Sequence, residues 1–445
     1  LRMPIVMLPD SAGTLPHGAP GATPIALDRP DGWRESLSDR TVRLASVGAT
    51  WAAMRHFYPY FSVVKTDWSA ALEPALREAA EAKTLPEALD GVRRLTAQLK
   101  DGHAQVVHAD VPVASIIDLG WTFVGDDLVV TRVPARWQEY IRPGDIVQGL
   151  DKKPIESGIE AIKPLISAAT EGWMRKSLAQ GLRTSYKTPA SFTITLVRPG
   201  DEQTKGEPFT LRLQRRPVGD IGPEESWLLE ESDTRPADGS ELAPGVVYFD
   251  LCGKGAKALQ EVMPALSKAQ GIVFDLRGYP GDAAYQLLAQ LAGEDRLTSA
   301  RWTVPIVTLP DQPELRFQTM PPWVIAGRDP RLGVGRKVKP DLPAQKVAFL
   351  IDARCISYAE SILGIVEYFK LGELVGEPTA GTNGNINPIR VPGGAIVYWT
   401  GMRVIKHDGS VHHGQGIRPT IPVSRTRAGI AAGRDEQLEA AIKAV

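Results

Sequence analysis

The chain has 445 residues, which is too long for one ordinary hydrophobic core and predicts two or three domains. Its formal net charge of −1 gives no electrostatic reason to bind nucleic acid or an acidic membrane surface, since both usually require a basic patch. No apolar run approaches the roughly 20 residues that span a bilayer, so no membrane span is expected.

The first hundred residues predict an arm followed by a small helical domain. Residues 1–30 are rich in Pro, Gly and small residues and predict an extended arm or linker. From about Arg34 apolar residues recur at helical spacing, and a further helix is expected within WSAALEPALREAAEA. Another helix is expected to begin where Thr84 caps and Glu87 reaches back. This domain, residues 31–112, ends in the motif D-G-H, which includes His103.

The next hundred residues predict a compact β-rich domain. Residues 113–216 contain short β-branched runs separated by turn residues. The predicted strands are DDLVVTRV, DIVQGL and SFTITLV, and a helix is expected in IEAIKPLISAA. Residues 217–243 are dense in Pro, Gly and acidic residues and are interpreted as a linker.

The last region, residues 244–445, predicts an α/β domain. Its apolar strands are VVYFDL, GIVFDL, KVAFLID and AIVYWT, with helical stretches between the first three. This alternation is typical of a largely α/β fold. The chain closes with a predicted amphipathic helix, DEQLEAAIKAV.

The strand KVAFLID runs into a polar turn that carries two potential nucleophiles, Cys355 and Ser357. A strand-to-helix turn suits nucleophilic catalysis because the first free amides of the helix can stabilise an oxyanion. Tyr358 would offer the next amide. Ser is also a common helix cap, and a buried Cys is usually inert, so a purely structural turn is an open alternative.

Histidine is the usual base for such a nucleophile, and the chain has only seven. His103 follows a helix stop, and His412 and His413 form a pair in a turn-rich segment. No H-E-x-x-H motif or helical ligand pair is present, which argues against a zinc site. A further loop, GIVFDLRGYPGD, contains Gly278 and Gly281, whose amides could approach a bound group closely.

Taken in order, these motifs resemble the C-terminal processing (tail-specific) and tricorn-type serine peptidases. The resemblance covers the chain from about residue 34 to the end. It rests on D-G-H at 101–103, D-L-R running to Gly281, and Ser357 followed three residues later by Glu360. G-E-P-T-A-G at 376–381 and G-Q-G-I-R-P at 414–419 complete it.

The resemblance implies a helical N-terminal region, an inserted PDZ domain at 113–216 and a ClpP/crotonase-like α/β core. It implies that Ser357 is the nucleophile and that the amides of Gly281 and Tyr358 form the oxyanion hole. In the PDZ domain, a peptide chain end would add as a strand beside the carboxylate-binding loop. The implied substrate-binding residues are Leu119, Gly120, Trp121, Thr122 and Phe123.

Departures from the family pattern select the base. The processing-peptidase branch has a lysine directly after G-E-P-T-x-G, where this chain has Thr382, so a Ser-Lys dyad is not expected. The tricorn-like branch uses the histidine of the D-G-H-like motif, which implies His103 as general base. That branch has a Glu where this chain has His413, and His413 becomes the candidate third catalytic member. Tyr279 and Asp282 replace residues that are often Asn and Gly.

The expected function is serine-type hydrolysis of peptide bonds through an acyl-enzyme. No metal or organic cofactor is implied, and the expected partners are peptide or protein substrates and a homo-oligomeric copy of the chain. Export, for example to the periplasm, is favoured by analogy alone, since the given N-terminus shows no signal-peptide layout. Two rivals remain open: a non-catalytic peptide-binding relative, motivated by Tyr279, Asp282 and His413, and an esterase on the same fold.

Overall fold

The computed structural model describes residues 9–10, 13–14, 31–186, 191–198, 206–222, 234–291, 297–306, 316–324, 342 and 346–445. The predicted arm lies outside these residues except for the paired strands β1 (Pro9–Asp10) and β2 (Gly13–Thr14). The predicted linker at 217–243 lies partly outside them. None of the described helices is both long and apolar enough to cross a membrane.

The described helices are α1 (Arg40–Phe57), α2 (Phe61–Val64), α3 (Leu72–Glu81), α4 (Leu85–Ala97), α5 (Ile155–Ile162), α6 (Glu171–Arg183), α7 (Ala256–Leu266), α8 (Asp282–Leu291), α9 (Tyr358–Phe369), α10 (Arg427–Ala431) and α11 (Glu436–Ala444). Short 3₁₀ turns occupy Ala135–Trp137, Lys163–Leu165 and Val218–Asp220.

The strands of the first half are β3 (Gln105–Val107), β4 (Ser115–Ile116), β5 (Gly120–Val124), β6 (Asp127–Arg132), β7 (Ile146–Leu150), β8 (Lys153–Pro154), β9 (Thr184–Ser185), β10 (Ser191–Val197), β11 (Pro208–Gln214) and β12 (Arg216–Pro217). Those of the second half are β13 (Glu241–Ala243), β14 (Val246–Asp250), β15 (Gly271–Asp275), β16 (Arg301–Ile306), β17 (Arg316–Thr319), β18 (Lys346–Ile351), β19 (Glu373–Gly376), β20 (Ile386–Arg390), β21 (Ile396–Thr400), β22 (Arg403–Ile405) and β23 (Ile421–Pro422).

The N-terminal helices pack around one apolar cluster. Helix α4 begins as predicted, because the Thr84 hydroxyl accepts a hydrogen bond from the Glu87 amide. The Glu87 carboxylate reaches back to the Lys83 amide at 2.8 Å, one residue before the cap. Leu89 and Leu95 are buried on the inner face, as helical periodicity requires. The same cluster takes in residues of β21, which joins this helical region to the C-terminal half.

The β-rich region forms an antiparallel sheet in the order β11-β10-β7-β6-β5, with β8 beside β7. Strand β5 lies at the edge and pairs only with β6 among the described strands. The helix expected in IEAIKPLISAA lies earlier, at α5, and a 3₁₀ turn replaces its second half. Helix α6 was not predicted, and it packs against β5 and supplies Leu178 and Leu182 to the buried interior.

The C-terminal region contains the α/β core. Its sheet has the order β13-β14-β15-β18-β19-β23, in which all pairs except β13–β14 are parallel. Helices α7, α8 and α9 supply apolar residues to the cluster on this sheet. The strand AIVYWT does not join it: β21 pairs antiparallel with β20 and β3 instead. The molecule is therefore mixed α/β, as predicted, but this strand belongs to a separate sheet.

Candidate active site

Ser357 occupies a strained turn between β18 and α9. Its backbone has φ 59° and ψ −113°, a positive φ that is uncommon outside glycine and costs about 1–3 kcal/mol. Its hydroxyl makes no capping hydrogen bond to α9, so the capping alternative does not describe this serine. Residues held in strained conformations cluster at functional sites, because surrounding contacts must maintain them.

Those contacts come from the loop G-E-P-T-A-G-T at 376–382. The Ser357 amide donates to the Thr382 carbonyl at 2.9 Å, and the Ala380 amide donates to the Cys355 carbonyl at 3.0 Å. The loop is fixed in turn by the buried Glu360 of α9, whose carboxylate accepts hydrogen bonds from the Thr382 and Gly381 amides. The turn and the loop therefore hold each other in register.

Thr382 also ties the D-G-H segment to this turn. Its hydroxyl accepts a hydrogen bond from the Gly102 amide at 3.0 Å, while its carbonyl holds Ser357. A Cβ built on Gly102 would lie 3.1 Å from the Ile356 side chain, so the two segments are in contact. Thr382 therefore joins the backbones that carry His103 and Ser357.

His103 is buried and oriented by a chain of hydrogen bonds. Its Nδ1 lies 2.8 Å from the Thr400 hydroxyl, and that hydroxyl donates to the Asp101 carboxylate at 2.7 Å. Asp101 also accepts from the backbone amides of His103 and Thr400, at 3.0 and 2.7 Å. The pairing of β3 with β21 produces this arrangement, because it sets the start of β3 opposite the end of β21.

These hydrogen bonds fix the tautomer of His103. A carboxylate can only accept hydrogen bonds, so the single hydroxyl proton of Thr400 is used toward Asp101. The Thr400 oxygen must then accept from His103, which places the ring proton on Nδ1 and leaves the lone pair on Nε2. That Nε2 is buried and has no hydrogen-bond partner in the described part of the chain. Burial lowers the pKa of His103, whereas the nearby Asp101 and Glu360 oppose that shift.

The other histidines of the region make different contacts. His413 stacks on Tyr60 at 4.1 Å, and its Nε2 lies 3.0 Å from the Lys100 carbonyl. Burial lowers the pKa of His413. No hydrogen bond joins it to His103 within the described residues. His412 lies with Nε2 3.2 Å from the Glu360 carboxylate, without hydrogen-bond alignment.

The two amides that are expected to form the oxyanion hole differ in whether they already make a hydrogen bond. The Tyr358 amide is the first of α9 and has no acceptor among the described residues, as the first amides of a helix normally do not. The Gly281 amide instead donates to the Leu251 carbonyl at 3.2 Å. A Cβ at Gly281 would lie 2.1 Å from the Lys254 carbonyl oxygen, so no other residue fits this backbone.

Buried charges support the loop that carries Gly281. Arg277 is fully buried and pairs with Asp275 and with Asp435 of the C-terminal segment, each at 2.7 Å. Burial disfavours the charged form of Asp275, but the guanidinium groups of Arg277 and Arg235 hold its pKa well below the usual range. The neighbouring Cys355 is also buried, and its thiol donates to the Leu276 carbonyl at 2.9 Å. Burial raises the pKa of that thiol, so Cys355 is a neutral neighbour of Ser357 rather than a nucleophile.

The residues expected to bind a peptide end lie on and before β5. Leu119 and Gly120 are buried, and the Trp121 indole donates to the Ala179 carbonyl of α6 at 2.8 Å. Thr122 and Phe123 line a cavity of about 450 Å³ between β5, α6 and the core loops at 352–354 and 377–379. The N-terminus of α6 is anchored to the core, because the Thr170 hydroxyl donates to the Ala380 carbonyl at 2.9 Å.

Comparison with known proteins assigns this architecture. Residues 245–423, which hold Ser357, Glu360 and Gly281, match peptidase family S41. The chain carries an S41 peptidase domain. The match confirms the resemblance that was drawn from the motifs. It also confirms the predicted enzyme class, a serine-type peptidase.

Solved structures extend the likeness beyond the S41 domain. Mature CPAF complexed with lactacystin is 14% identical with a TM-score of 0.68, over 91% of this chain and 97% of that chain. A second structure of mature CPAF is 13% identical with a TM-score of 0.67, over 91% and 96%. The photosystem II D1 C-terminal processing protease is 15% identical with a TM-score of 0.44, over 86% and 92%. The CPAF likeness shows a shared fold along nearly the whole chain. Comparison with curated proteins gives no match.

Sequence reasoning missed the roles of three residues in this site. Thr400 ends an apolar strand and carries no motif, so no sequence signal marks it as the partner of His103. Asp101 was part of the recognised D-G-H motif, but nothing in the sequence showed that its carboxylate reaches Thr400. Thr382 was noted only as a missing lysine, whereas its hydroxyl and carbonyl bridge two segments.

Proposed function

We propose that the protein hydrolyses peptide bonds with Ser357 as nucleophile and His103 as general base. The observation that carries this proposal is the joint placement of the two residues by Thr382, with the free lone pair of His103 on Nε2. An unprotonated, buried imidazole beside a strained serine turn is the arrangement that activates a hydroxyl.

In the proposed reaction, His103 Nε2 takes the Ser357 hydroxyl proton as Oγ attacks the peptide carbonyl carbon. The resulting oxyanion accepts a hydrogen bond from the Tyr358 amide. The carbon–nitrogen bond then breaks, and His103 gives its proton to the leaving amine. Water, deprotonated by His103, next attacks the acyl carbon. The bond from that carbon to Ser357 Oγ then breaks, His103 returns its proton to Oγ, and the acid is released.

Asp101 and Thr400 are the proposed orienting groups for His103. The Thr400 oxygen accepts the Nδ1 proton, and the Asp101 carboxylate polarises that hydroxyl and so stabilises the imidazolium that forms. This proposal replaces His413 as third member with a relay that contacts the His103 ring directly. The buried His413, which stacks on Tyr60 and contacts the Lys100 carbonyl, would then have a structural role.

Two contacts must change during turnover in this scheme. No hydrogen bond joins Ser357 to His103 Nε2 in the described residues, and such bonds often tighten only when substrate binds. The Gly281 amide would have to leave the Leu251 carbonyl before it could act as a second oxyanion donor. Removal of one such donor from a peptidase typically costs about 10²–10³ in kcat, so a Gly281 amide that stayed on the Leu251 carbonyl would lower kcat by about that factor.

The engaged Gly281 amide favours one second candidate, a peptide-binding relative without catalysis. In that candidate the edge of β5 would bind a peptide chain end as an added strand, with α6 as the opposite wall. In the first candidate, the peptidase, the same PDZ-like groove would bind substrates and deliver them to the catalytic residues. Titration calorimetry with a free-carboxylate peptide and its amidated form tests this groove. If the groove recognises the terminal carboxylate, the amidated peptide should bind more weakly.

A fluorophosphonate probe separates the candidates. We expect it to modify Ser357, as mapped by mass spectrometry, and we expect the modification to vanish in Ser357→Ala and fall sharply in His103→Ala. His56→Ala, a histidine of α1 outside the site, is the matched control and should label normally. Hydrolysis of a mixed peptide library should follow the same pattern. Folded protein that neither labels nor hydrolyses peptides would leave the binding candidate.

Peptides and proteins are the proposed substrates, and ester turnover is expected as a side activity because an acyl-enzyme on serine readily forms from esters. A peptide-to-ester comparison on the same preparation tests this, since an esterase would hydrolyse esters alone.

Light scattering would test the proposed homo-oligomer. Lactacystin, present in one CPAF structure, provides a second reagent for Ser357.

A further inference from the structure

A cavity of about 640 Å³ opens beside the proposed catalytic turn. Its lining consists of Asp282, Tyr285, Gln286, Trp323, Val324 and Tyr358. Two of these residues directly follow groups of the proposed machinery in sequence: Tyr358 follows Ser357, and Asp282 follows Gly281. A peptide whose carbonyl reached Ser357 would therefore have its neighbouring side chain close to this cavity.

The walls of the cavity combine one carboxylate with aromatic faces. Asp282 is exposed and has neither an ion pair nor a side-chain hydrogen bond with other described residues. Asp282 and Tyr358 line the same cavity, and burial, followed by the charge of Asp282, raises the pKa of the Tyr358 phenol to about 12. The Tyr285 hydroxyl donates to the Val324 carbonyl at 3.3 Å, and Trp323 packs on Trp302 at 4.5 Å, so the walls are held in place.

This chemistry suits a cation. Carboxylates attract guanidinium and ammonium groups, and tyrosine and tryptophan rings bind the same groups through their faces. An apolar side chain would cover the Asp282 carboxylate without pairing it, which is unfavourable, and an acidic side chain would be repelled.

We propose that this cavity binds the arginine or lysine side chain of the residue that contributes the scissile carbonyl, with Asp282 as the specificity-determining group. This inference deepens the proposed peptidase function and rests on it. Gln286, one helical turn from Asp282 on α8, would lie within reach of a long side chain, and the Tyr358 and Trp323 rings would flank its alkyl portion.

Two otherwise identical peptides test the proposal, one with arginine and one with citrulline before the scissile bond. Citrulline has nearly the same shape as arginine but no charge. We expect kcat/KM to favour arginine by about tenfold in the wild type, as a partly exposed ion pair with a cation–π contribution allows. The preference should shrink to about one in Asp282→Asn. Glu160→Gln removes an exposed carboxylate on α5 and should leave the preference unchanged.

A binding measurement keeps the test independent of turnover. In Ser357→Ala, N-acetylarginine methylamide should bind more tightly than the citrulline analogue by NMR titration, and Asp282→Asn should abolish the difference. Equal kcat/KM for the two peptides, or equal binding of the two amides, overturns the proposal. Labelling of Ser357 without an arginine preference would refute the cavity assignment alone. No labelling with a charge-dependent difference in binding would refute the peptidase function and retain the cation site.

Discussion

Replacement of Thr400 by valine tests the relay that orients His103. Valine keeps the branched shape of threonine but removes the hydroxyl that bridges His103 Nδ1 and Asp101. Thr400 is fully buried and lines neither cavity described above, so a loss of activity could not be ascribed to a lost substrate contact. The His103 Nδ1 proton would be left without an acceptor, and Nε2 could become the protonated nitrogen.

The magnitude follows from the two hydrogen bonds. The bond to the Asp101 carboxylate contributes about 1.5–3 kcal/mol and the bond from His103 about 0.5–1.5 kcal/mol. The extra buried methyl group of valine offsets about 0.8 kcal/mol. Thr400→Val should therefore lower the free energy of unfolding by about 1–4 kcal/mol. General-base catalysis contributes about 10²–10⁴-fold, so loss of the correct tautomer should lower kcat by about 10²-fold.

The assay is steady-state peptide hydrolysis with urea denaturation of the same samples. KM should stay within a few-fold of wild type, because Thr400 does not touch the proposed substrate sites. Thr400→Ser restores the hydroxyl and should recover most of kcat, which a merely structural role for the methyl group would not predict. If Thr400→Val retains wild-type kcat, the relay and the tautomer assigned from it are wrong.

Four further predictions follow from buried charges and rings. Burial lowers the pKa of His103 below 6.5, so the acid limb of kcat/KM should have its midpoint below pH 6.5. The free energy of unfolding should be fully retained above pH 6.5 and fall as the pH drops through the lowered pKa values of His103 and His413. The reason is that the unfolded chain binds protons in this range before the buried rings do. His413→Gln should keep kcat within about tenfold, measured beside Thr400→Val, because general-base catalysis would remain intact. Asp435→Asn should lower the free energy of unfolding by about 2–3 kcal/mol in urea, because it removes a charge partner of buried Arg277.

Each of these predictions has an outcome that contradicts it. A free energy of unfolding that does not fall as the pH drops below 6.5 would contradict the predicted pH dependence of stability. An acid limb centred above pH 6.5 would show that His103 is not the desolvated base. A kcat for His413→Gln as low as that for Thr400→Val would restore His413 as a catalytic partner. Asn at position 435 can still cap α11 through its side-chain oxygen, as Asp435 does toward the Leu438 amide, so unchanged stability would mean that Arg277 needs no charge there.

Local patterns predicted much of the fold correctly. Thr84 caps α4, and the β-branched run SFTITLV is strand β10 throughout its length. Such features depend on interactions within a few residues, which the sequence displays directly. Helix α6 escaped prediction because its buried residues, such as Leu178 and Leu182, are interrupted by polar ones. It packs against β5, and its N-terminus is held by the Ala380 carbonyl.

The turn at Ser357 was also visible in the sequence, because an apolar strand, a polar turn and a helix follow one another there. The order of the motifs then identified the family, and the S41 match agrees. The strand β21 shows the limit of this reasoning. Its composition is that of a core strand, but its partner is β3, and strand pairing is set by long-range register that composition does not encode.

The sequence by itself therefore determined many of the elements, the resemblance to a peptidase family and the candidate pair of Ser357 and His103. Only the tertiary structure decided how His103 is oriented, because Thr400 lies 297 residues away and meets it through the pairing of β3 with β21. It also decided that Asp282 lines a cavity, since a cavity is formed by surfaces from several segments. Hydrogen bonds and cavities depend on distances between remote residues, and those distances exist only once the chain has packed.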